Sequence, residues 1–497
     1  MKKTFLYYTL MMTTATVCLS SCGNDWLDLS PSDSVPSDKA IVDADGAKAA
    51  WTGMYDGLQG NSSYTGYYGA RMFYYGDVRG DDMQAEKQGN RSSSCYEMQY
   101  TLDNAPNMWN VPYNVIQRAN RLIDAIDKKQ IKDAAEGVLE SYRAQALVVR
   151  AMVHFDLVRV YGNTYTMDQG ASAGVPIVNH LLEATALPGR DKVADVYAQV
   201  VKDLTEAIDS KALETKKQQG YLNLWAAKAL LTRVYLYMGD NAKALSTAED
   251  IIKNSPYALW TDEQYVNAWS KKDGAHTNEM LFEIINYSSE DWTDREGIAY
   301  LLAEDGYADL IATKSFLDIM KRTPKDVRKG ILIKSVKKAF IDKYGEETVF
   351  VNKFPADDSG EMRMNNIPLL RLSEVYLNAA EAAVKLGNEN AKAMEYLSAI
   401  AQRDGTETDL KGTTIKLEQV LLERRKELIG EGQRFFDAMR NNETVVRYTD
   451  NNDRGFHYIL KEESQSFNRT YFRALLPIPV SETNANPVLR EQQNPGY

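Results

Sequence analysis

Apolar residues recur at intervals of three and four along most of the chain after about residue 107, a pattern typical of helices that bury one face. The longest such run, "EGVLESYRAQALVVRAMVHFDLVRVYG" (136–162), carries two adjacent apolar stripes. A helix that is apolar over so wide an arc packs on more than one neighbour. We expect it to end at Gly162. The segment "DKVADVYAQVVKDLTEAIDSKAL" (191–213) predicts a second, amphipathic helix.

Two later segments share one pattern of helix, glycine, short turn and helix. They are "WAAKALLTRVYLYMGDNAKALSTAEDII" (225–252) and "SEVYLNAAEAAVKLGNENAKAMEYLSAIA" (373–401). Both place alanines where two helices must approach closely, and both carry "AKA" at the start of the second helix. These features are typical of tetratricopeptide-like helix pairs, which stack into a superhelix. The predicted fold is therefore mainly α.

The stretch between these helix pairs, residues 254–368, has a weaker helical pattern. Short β-like runs occur there, such as "EMLFEIINY" (279–287) and "ETVFVNKF" (347–354). We interpret it as a long irregular insertion that contains a few short β-strands. Irregular segments on a rigid scaffold often carry binding surfaces.

The N-terminus predicts export. Lys2 and Lys3 precede a short apolar run that is too short to span a membrane, and "LSSC" (19–22) follows it. This segment is similar to the lipobox of bacterial lipoproteins, which implies cleavage before Cys22 and acylation of Cys22. The alternative is an ordinary secretory signal with a chance cysteine. The predicted organisation is a signal peptide (1–21), a lipidated tether (22–45) and a single domain (46–497), divided into an N-terminal half (46–253), the insertion (254–368) and a C-terminal part (369–497).

Composition and charge narrow the range of functions. The chain of 497 residues is 44% hydrophobic and carries a formal net charge of −11. An acidic surface repels phosphate backbones, so we expect no nucleic-acid partner. Tyrosine outnumbers phenylalanine 30 to 13. Because a phenol ring can be partly hydrated, this bias favours interfaces and ligand surfaces.

Motifs that would carry catalysis are weak or absent. The four histidines lack the spacing of a zinc site, and no glycine-rich phosphate loop occurs. "GASAG" (170–174) fits a nucleophile elbow by its letters but lies in loop context, next to Pro176. "LLERRKELIGEGQRFFDAMR" (421–440) is dense in charge at helical spacings, which favours helix-surface and inter-helix ion pairs over catalysis. We therefore expect neither an enzyme nor a cofactor.

A set of short motifs follows Cys22 in a fixed order. They are "WLDLSPSD", "WNVPYNVIQRANRLID", "RAQALVVRAMVHFDLVRVYGN" with "GVPIV", "VYAQVVKDLTEAI", "AAKALLTRVYLYMGDNAKAL", "PLLRLSEVYLNAAEA", "LERRKELIGEGQRFFDAMR" and the terminal "LLPIPVSETNANPVLREQQNPGY". Taken together, these motifs resemble the SusD/RagB family of nutrient-binding surface lipoproteins of Bacteroidota. The resemblance extends over nearly the whole mature sequence, and the order of its motifs is more specific than any one of them.

This resemblance implies four tetratricopeptide-like units and a lipid anchor in the outer membrane, with the protein exposed at the cell surface. It also implies a SusC-like TonB-dependent β-barrel transporter as partner, with oligosaccharides as the usual ligands. The family has no catalytic residues in common. Two alternatives stay open: a peptide-binding, RagB-like uptake lipoprotein and, less favoured, a surface glycoside hydrolase. Repeated family phrases, which include Trp109, are interpreted as scaffold.

Ligand residues differ between family members, so we nominate candidates from their chemistry. Apolar faces of sugar rings favour flat aromatic side chains, and sugar hydroxyls favour Asp, Asn and Arg. In "NSSYTGYYGARMFYYGDVRGDDM" (61–83) the candidates are Tyr67, Tyr68, Tyr74, Tyr75, Arg79 and Asp82. The alternative is that this segment is wedged onto the scaffold by Phe73 and several of its tyrosines. In "NYSSEDWTDREGIAY" (286–300) the candidates are Tyr287 and Trp292.

Overall fold

A computed structural model describes residues 40–60, 66–270, 275–286, 297–347, 349–355, 360–406 and 410–497. Cys22 and the predicted signal peptide lie outside these residues. Within the described ranges, no helix combines the length and the apolar character needed to cross a membrane.

The helices account for most of the regular structure, as predicted. In chain order they are α1 (Ala44–Gln59), α2 (Arg71–Asp77), α3 (Ser93–Glu97), α4 (Asn110–Asp127), α5 (Val138–Tyr161), α6 (Tyr165–Asp168), α7 (Val193–Asp209), α8 (Leu224–Met238), α9 (Asn241–Asn254), α10 (Asp262–Trp269), α11 (His276–Glu279), α12 (Ile298–Leu302), α13 (Lys314–Lys321), α14 (Lys338–Tyr344), α15 (Leu372–Leu386), α16 (Asn390–Ala401), α17 (Leu417–Leu428), α18 (Arg434–Arg440), α19 (Glu462–Gln465), α20 (Val480–Ala485) and α21 (Pro487–Glu491).

The strands are short and form two-stranded antiparallel sheets in the part of the chain that the structure describes. The pairs are β1 (Met83–Ala85) with β3 (Leu310–Ala312), β2 (Met280–Ile284) with β6 (Ile367–Arg371), β4 (Leu332–Ile333) with β5 (Phe350–Val351), and β7 (Val445–Val446) with β8 (Ser466–Phe467). Both β-like runs quoted above from the insertion contain a strand, β2 and β5. The β2–β6 pair brings the beginning and the end of the insertion together.

The two predicted helix pairs are present as α8–α9 and α15–α16. Each first helix ends at a glycine in the left-handed region, Gly239 at φ +77° and Gly387 at φ +79°. An L side chain rarely adopts that conformation, so glycine allows the chain to turn directly into the second helix. Asn223 and Asp240 cap the starts of α8 and α9 by accepting backbone N–H groups.

The helices stack in sequence order into a layered core. The long helix α5 ends at Gly162, as expected, and packs against both α4 and α7. Further along, α8 contacts α7 and α9, and α15 contacts α9, α16 and α17. Trp109 is buried at the start of α4, and its ring lies 4.9 Å from that of Tyr161 on α5. Trp109 is therefore part of the scaffold, as predicted.

The charge-dense helix α17 buries most of its charged side chains. Its residues 423–427 are all charged, and each makes ion pairs. The carboxylate of Glu427 accepts hydrogen bonds from Arg371 at 3.0 Å, from Arg328 at 3.4 Å and from Arg403. Arg371 Nη1 also lies 2.6 Å from Oε1 of Glu279, the last residue of α11. These inter-helix ion pairs are the interpretation favoured by the sequence, and their near-complete burial makes them a charged part of the core.

Candidate functional site

Tyr67 and Tyr68 are buried and do not form an exposed platform. Their rings stack on each other with centroids 4.2 Å apart. Both hydroxyls donate to the carboxylate of Asp156 on α5, which also pairs with Arg159. Burial, reinforced by the nearby Asp156 carboxylate, raises the pKa of both tyrosines well above the usual value. Tyr67 and Tyr68 thus fix residues 66–70 to α5.

Tyr74, Tyr75 and Arg79 are buried as well. The Arg79 guanidinium lies 4.0 Å from the ring centre of Tyr75 and 3.8 Å from that of Phe435. It donates to the backbone carbonyl of Ala474 at 2.7 Å. These contacts join α2 and the turn after it to the C-terminal part of the chain.

Asp82 makes a buried ion pair with Arg425 on α17, at 2.5 Å from Nη2. The expectation of a sugar-binding surface made by Tyr67, Tyr68, Tyr74, Tyr75, Arg79 and Asp82 is thus corrected for the described conformation. The alternative stated above, in which the segment is wedged onto the scaffold, agrees with the observed contacts. The physical reason is that groups far away in sequence bury these side chains. Asp156 accepts from the Tyr67 and Tyr68 hydroxyls, and Arg425 pairs with Asp82.

Tyr287 and Trp292 lie outside the described residues, so their predicted ligand contacts stay a prediction. The residues that flank this segment are well anchored. Asn286 is buried and accepts a hydrogen bond from Gln59 Nε2 at 2.8 Å. On the other side, the N–H of Ile298 donates to the carbonyl of Gly69 at 2.8 Å. Asn286 and Ile298 therefore lie beside the C-terminal end of α1 and the turn at residues 66–70.

A cleft of about 190 Å³ lies beside Asn286, between α1 and the loop that precedes α8. It is lined by Thr52, Tyr55, Asp56, Gln59, Gly220, Tyr221, Ile284 and Ile285. The lining thus combines aromatic and branched aliphatic side chains with one amide and one carboxylate. Ligand pockets in proteins commonly show this mixture of an apolar lining and a few polar groups.

A stack of three rings supports the aromatic side of the cleft. Trp51 lies between Tyr221, at 4.5 Å, and Tyr142, at 4.6 Å, with nearly parallel planes. The Tyr55 hydroxyl donates to Gln145 Oε1 at 2.6 Å and accepts the N–H of Leu222 at 3.0 Å. The half-buried Tyr221 is therefore held by its stacking on Trp51 and by the hydrogen bond that fixes the neighbouring Leu222 to Tyr55.

A second aromatic pair follows the Tyr287–Trp292 segment in sequence. Tyr300 and Tyr307 are half-buried, and their ring centres lie 5.8 Å apart. The guanidinium of Arg91 lies 3.6 Å from the ring centre of Tyr307 and pairs with Asp309 at 3.4 Å. We call the cleft the aromatic face, defined by Tyr221, Gln59 and Asp56, and treat Tyr300, Tyr307 and Arg91 as a separate aromatic cluster.

The aromatic face has the chemistry of a binding surface. In the described part of the chain, no group of three or more His, Cys, Asp or Glu side chains is arranged to hold a metal ion. Sequence reasoning missed Gln59, Tyr221 and Tyr307. The only indication was position: Tyr300 closes the segment nominated above, and Tyr307 follows seven residues later.

Comparison with known proteins identifies the family. Residues 189–497 match the model of the SusD family, and residues 25–236 match a family described as starch-binding and associating with the outer membrane. The chain therefore belongs to the SusD family.

Solved structures and a curated relative agree with this assignment. A putative sugar-binding protein from Bacteroides vulgatus is 39% identical, with a TM-score of 0.83 over 92% of this chain and 100% of that one. A SusD superfamily protein from Bacteroides thetaiotaomicron is 38% identical, with a TM-score of 0.83 over 91% and 99%. A SusD-like protein of Bacteroides ovatus is 22% identical over 98% of this chain and 97% of its own length.

Proposed function

We propose that this protein is a non-catalytic, cell-surface glycan-binding lipoprotein that captures oligosaccharides at the aromatic face. The observation that carries the proposal is the ring of Tyr221 beside Gln59 and Asp56 in a cleft of about 190 Å³. A sugar unit can pack its apolar C–H face on an aromatic ring and donate hydroxyl hydrogen bonds to an amide or carboxylate. The aromatic and the polar side chains of the cleft could therefore both contact a sugar. Tyr287 and Trp292 are retained as further ligand residues.

Similarity to known proteins supports a carbohydrate as the ligand. The relative with 39% identity carries the description of a putative sugar-binding protein, and the N-terminal family model is described as starch-binding. A peptide ligand is the main alternative. A hydrolase is disfavoured, because the similar proteins carry descriptions of binding; in addition, Asp82, one carboxylate that a hydrolase could use, is paired with Arg425.

The proposed setting is the outer membrane, with acylated Cys22 as the anchor and the protein exposed at the surface. We further propose that bound oligosaccharide passes to a SusC-like TonB-dependent transporter. Support comes from the "LSSC" motif and from the family description of outer-membrane association. Co-purification of a β-barrel transporter with the native lipoprotein, detected by mass spectrometry, tests the partnership.

The binding proposal is tested with the soluble chain from residue 23 to 497 on an array of plant and microbial glycans, with a parallel array of peptides. The expected result is binding to one class of glycan without release of reducing ends from it. Binding to peptides alone would replace the proposal with the peptide-uptake alternative. Release of reducing ends that persists after repurification would replace it with the hydrolase.

A further inference from the structure

A chain of buried side-chain amides runs from the cleft into the insertion. Gln59 Nε2 donates to Asn286 Oδ1 at 2.8 Å, and Asn286 Nδ2 donates to the carbonyl of Asn365 at 2.6 Å. Asn365 Nδ2 then donates to the carbonyls of Phe354 and Pro355, at 3.1 and 3.2 Å. We call this chain, Gln59–Asn286–Asn365, the amide relay. All three side chains are buried, with 5 to 7% of their surface exposed.

The amide relay connects distant parts of the sequence. Gln59 is the last residue of α1, Asn286 follows β2, and Asn365 precedes β6. A buried amide that lost its partner would cost about 1–3 kcal/mol, so these three residues hold one another in fixed orientations. The relay therefore sets the position of the α1 end relative to the strand pair β2–β6.

The relay also determines which atom Gln59 can offer to the cleft. Its nitrogen donates to Asn286, so the amide cannot flip without losing this bond, and the carbonyl oxygen Oε1 is the polar atom of the side chain that Asn286 does not use. Gln59 lines the cleft, as does Asp56, whose carboxylate accepts a hydrogen bond from Arg118 at 3.2 Å and keeps further acceptor sites. Beside the Tyr221 ring, the cleft therefore carries acceptors suited to the O–H donors of a ligand.

We propose that Gln59 determines specificity by accepting a hydrogen bond from a sugar hydroxyl, and that Asn286 is its positioning residue. This inference rests on the proposed glycan-binding function and adds the direction of the hydrogen bond and the residue that enforces it. A ligand unit with a free hydroxyl next to its stacked face fits the cleft. A unit methylated or acetylated at that hydroxyl lacks the donor and is rejected.

The test is a double-mutant cycle on affinity. Isothermal titration with malto-, laminari-, cello-, xylo- and galacto-oligosaccharides of six units is carried out on the unsubstituted protein, Gln59→Ala, Asn286→Ala and the double variant. Each single substitution is expected to lower the affinity for the preferred oligosaccharide about tenfold. Because Asn286 acts through Gln59, the double variant should bind no more weakly than Gln59→Ala.

Asn120→Ala is the matched control, because Asn120 is a buried amide on α4 that does not line the cleft. It donates to the Val178 and His180 carbonyls and accepts from Arg150. Asn120→Ala should lower the melting temperature and leave affinity unchanged. If Asn286→Ala fails to fold, Asn286→Ser, which keeps one hydrogen-bonding group, takes its place with an expected loss of about threefold.

Several outcomes would overturn the inference and leave the proposed function standing. These are full affinity in the Asn286 variant, additive losses in the double variant, or an equal loss in Asn120→Ala. Binding that is insensitive to methylation of the ligand's hydroxyls would overturn the role of Gln59 alone. If the unsubstituted protein bound no oligosaccharide, the proposed function itself would fail, and this inference with it.

Discussion

Replacing Glu427 by glutamine tests whether the buried charges around α17 hold the fold together. Burial alone would raise the pKa of Glu427, but Arg403, Arg371 and Arg328 outweigh this effect and hold it well below the usual range. The carboxylate is therefore ionised at neutral pH. Glutamine is nearly isosteric, so Glu427→Gln removes the charge without creating a cavity.

The expected cost follows from what the substitution leaves behind. Arg328, Arg371 and Arg403, each with 1% of its side-chain surface exposed, lose the one carboxylate that all three share. Their remaining carboxylate partners, Glu279, Glu423, Glu431, Asp326 and Asp404, each pair with only one or two of the three. Breaking a buried ion pair by removing one partner costs about 3–5 kcal/mol. Domains are commonly stable by about 5–15 kcal/mol, so the loss is a large share of the total.

Urea denaturation followed by far-ultraviolet circular dichroism at pH 7 measures this cost as a fall in the midpoint. Glu418→Gln is the matched control, because Glu418 is an exposed residue of the same helix and should change stability by less than about 1 kcal/mol. A loss for Glu427→Gln no larger than the control would refute the view that these ion pairs organise the core.

Three further predictions concern stability and anchoring. Burial would raise the pKa of Asp81, but Arg434 and Arg425 outweigh this effect and lower the pKa to about 2. The ionised Asp81 therefore contributes to the free energy of unfolding above its unfolded pKa, near 4, and this contribution is lost as the pH falls toward 2. Acid denaturation should be shallow down to pH 4 and steep below it, and a transition centred above pH 5 would contradict this. Trp109→Ala should cost about 3–5 kcal/mol through the cavity it leaves, with ligand affinity unchanged in the folded fraction; an unchanged melting temperature would place Trp109 outside the core. Cys22→Ala should abolish labelling with radioactive palmitate and release the protein from membranes, whereas persistent labelling would exclude Cys22 as the anchor.

Much of the scaffold was predictable from the sequence because its determinants are local. The helix pairs α8–α9 and α15–α16 follow from apolar periodicity within about 30 residues and from a glycine between the two helices. The irregular insertion was equally visible as a loss of that periodicity. For the charged helix α17 the sequence favoured helix-surface and inter-helix ion pairs together, and it did not show that most of them are buried.

The candidate site was not predictable, because long-range contacts decide which polar aromatic residues are buried. Tyr67 looks amphipathic in sequence, but its hydroxyl meets Asp156, which lies 89 residues later. Tyr221 stands in a short polar loop, and only folding brings it next to Trp51 and Gln59. Aromatic composition predicted that a ligand surface exists, and it could not say which tyrosines form it.

The central claim is that the aromatic face binds glycan, and one paired titration tests it most directly. The oligosaccharide preferred on the array is titrated calorimetrically into the unsubstituted protein, Tyr221→Ala and Tyr376→Ala; Tyr376 is a half-buried tyrosine on α15 that packs against Tyr396.

If the aromatic face binds glycan, the unsubstituted protein should have a dissociation constant between about micromolar and millimolar, which corresponds to a binding free energy of roughly −8 to −4 kcal/mol. Binding energy at such surfaces is concentrated in a few aromatic residues, so Tyr221→Ala should weaken binding at least about tenfold while Tyr376→Ala binds normally. Equal affinity of all three proteins would contradict the assignment of the site to the aromatic face.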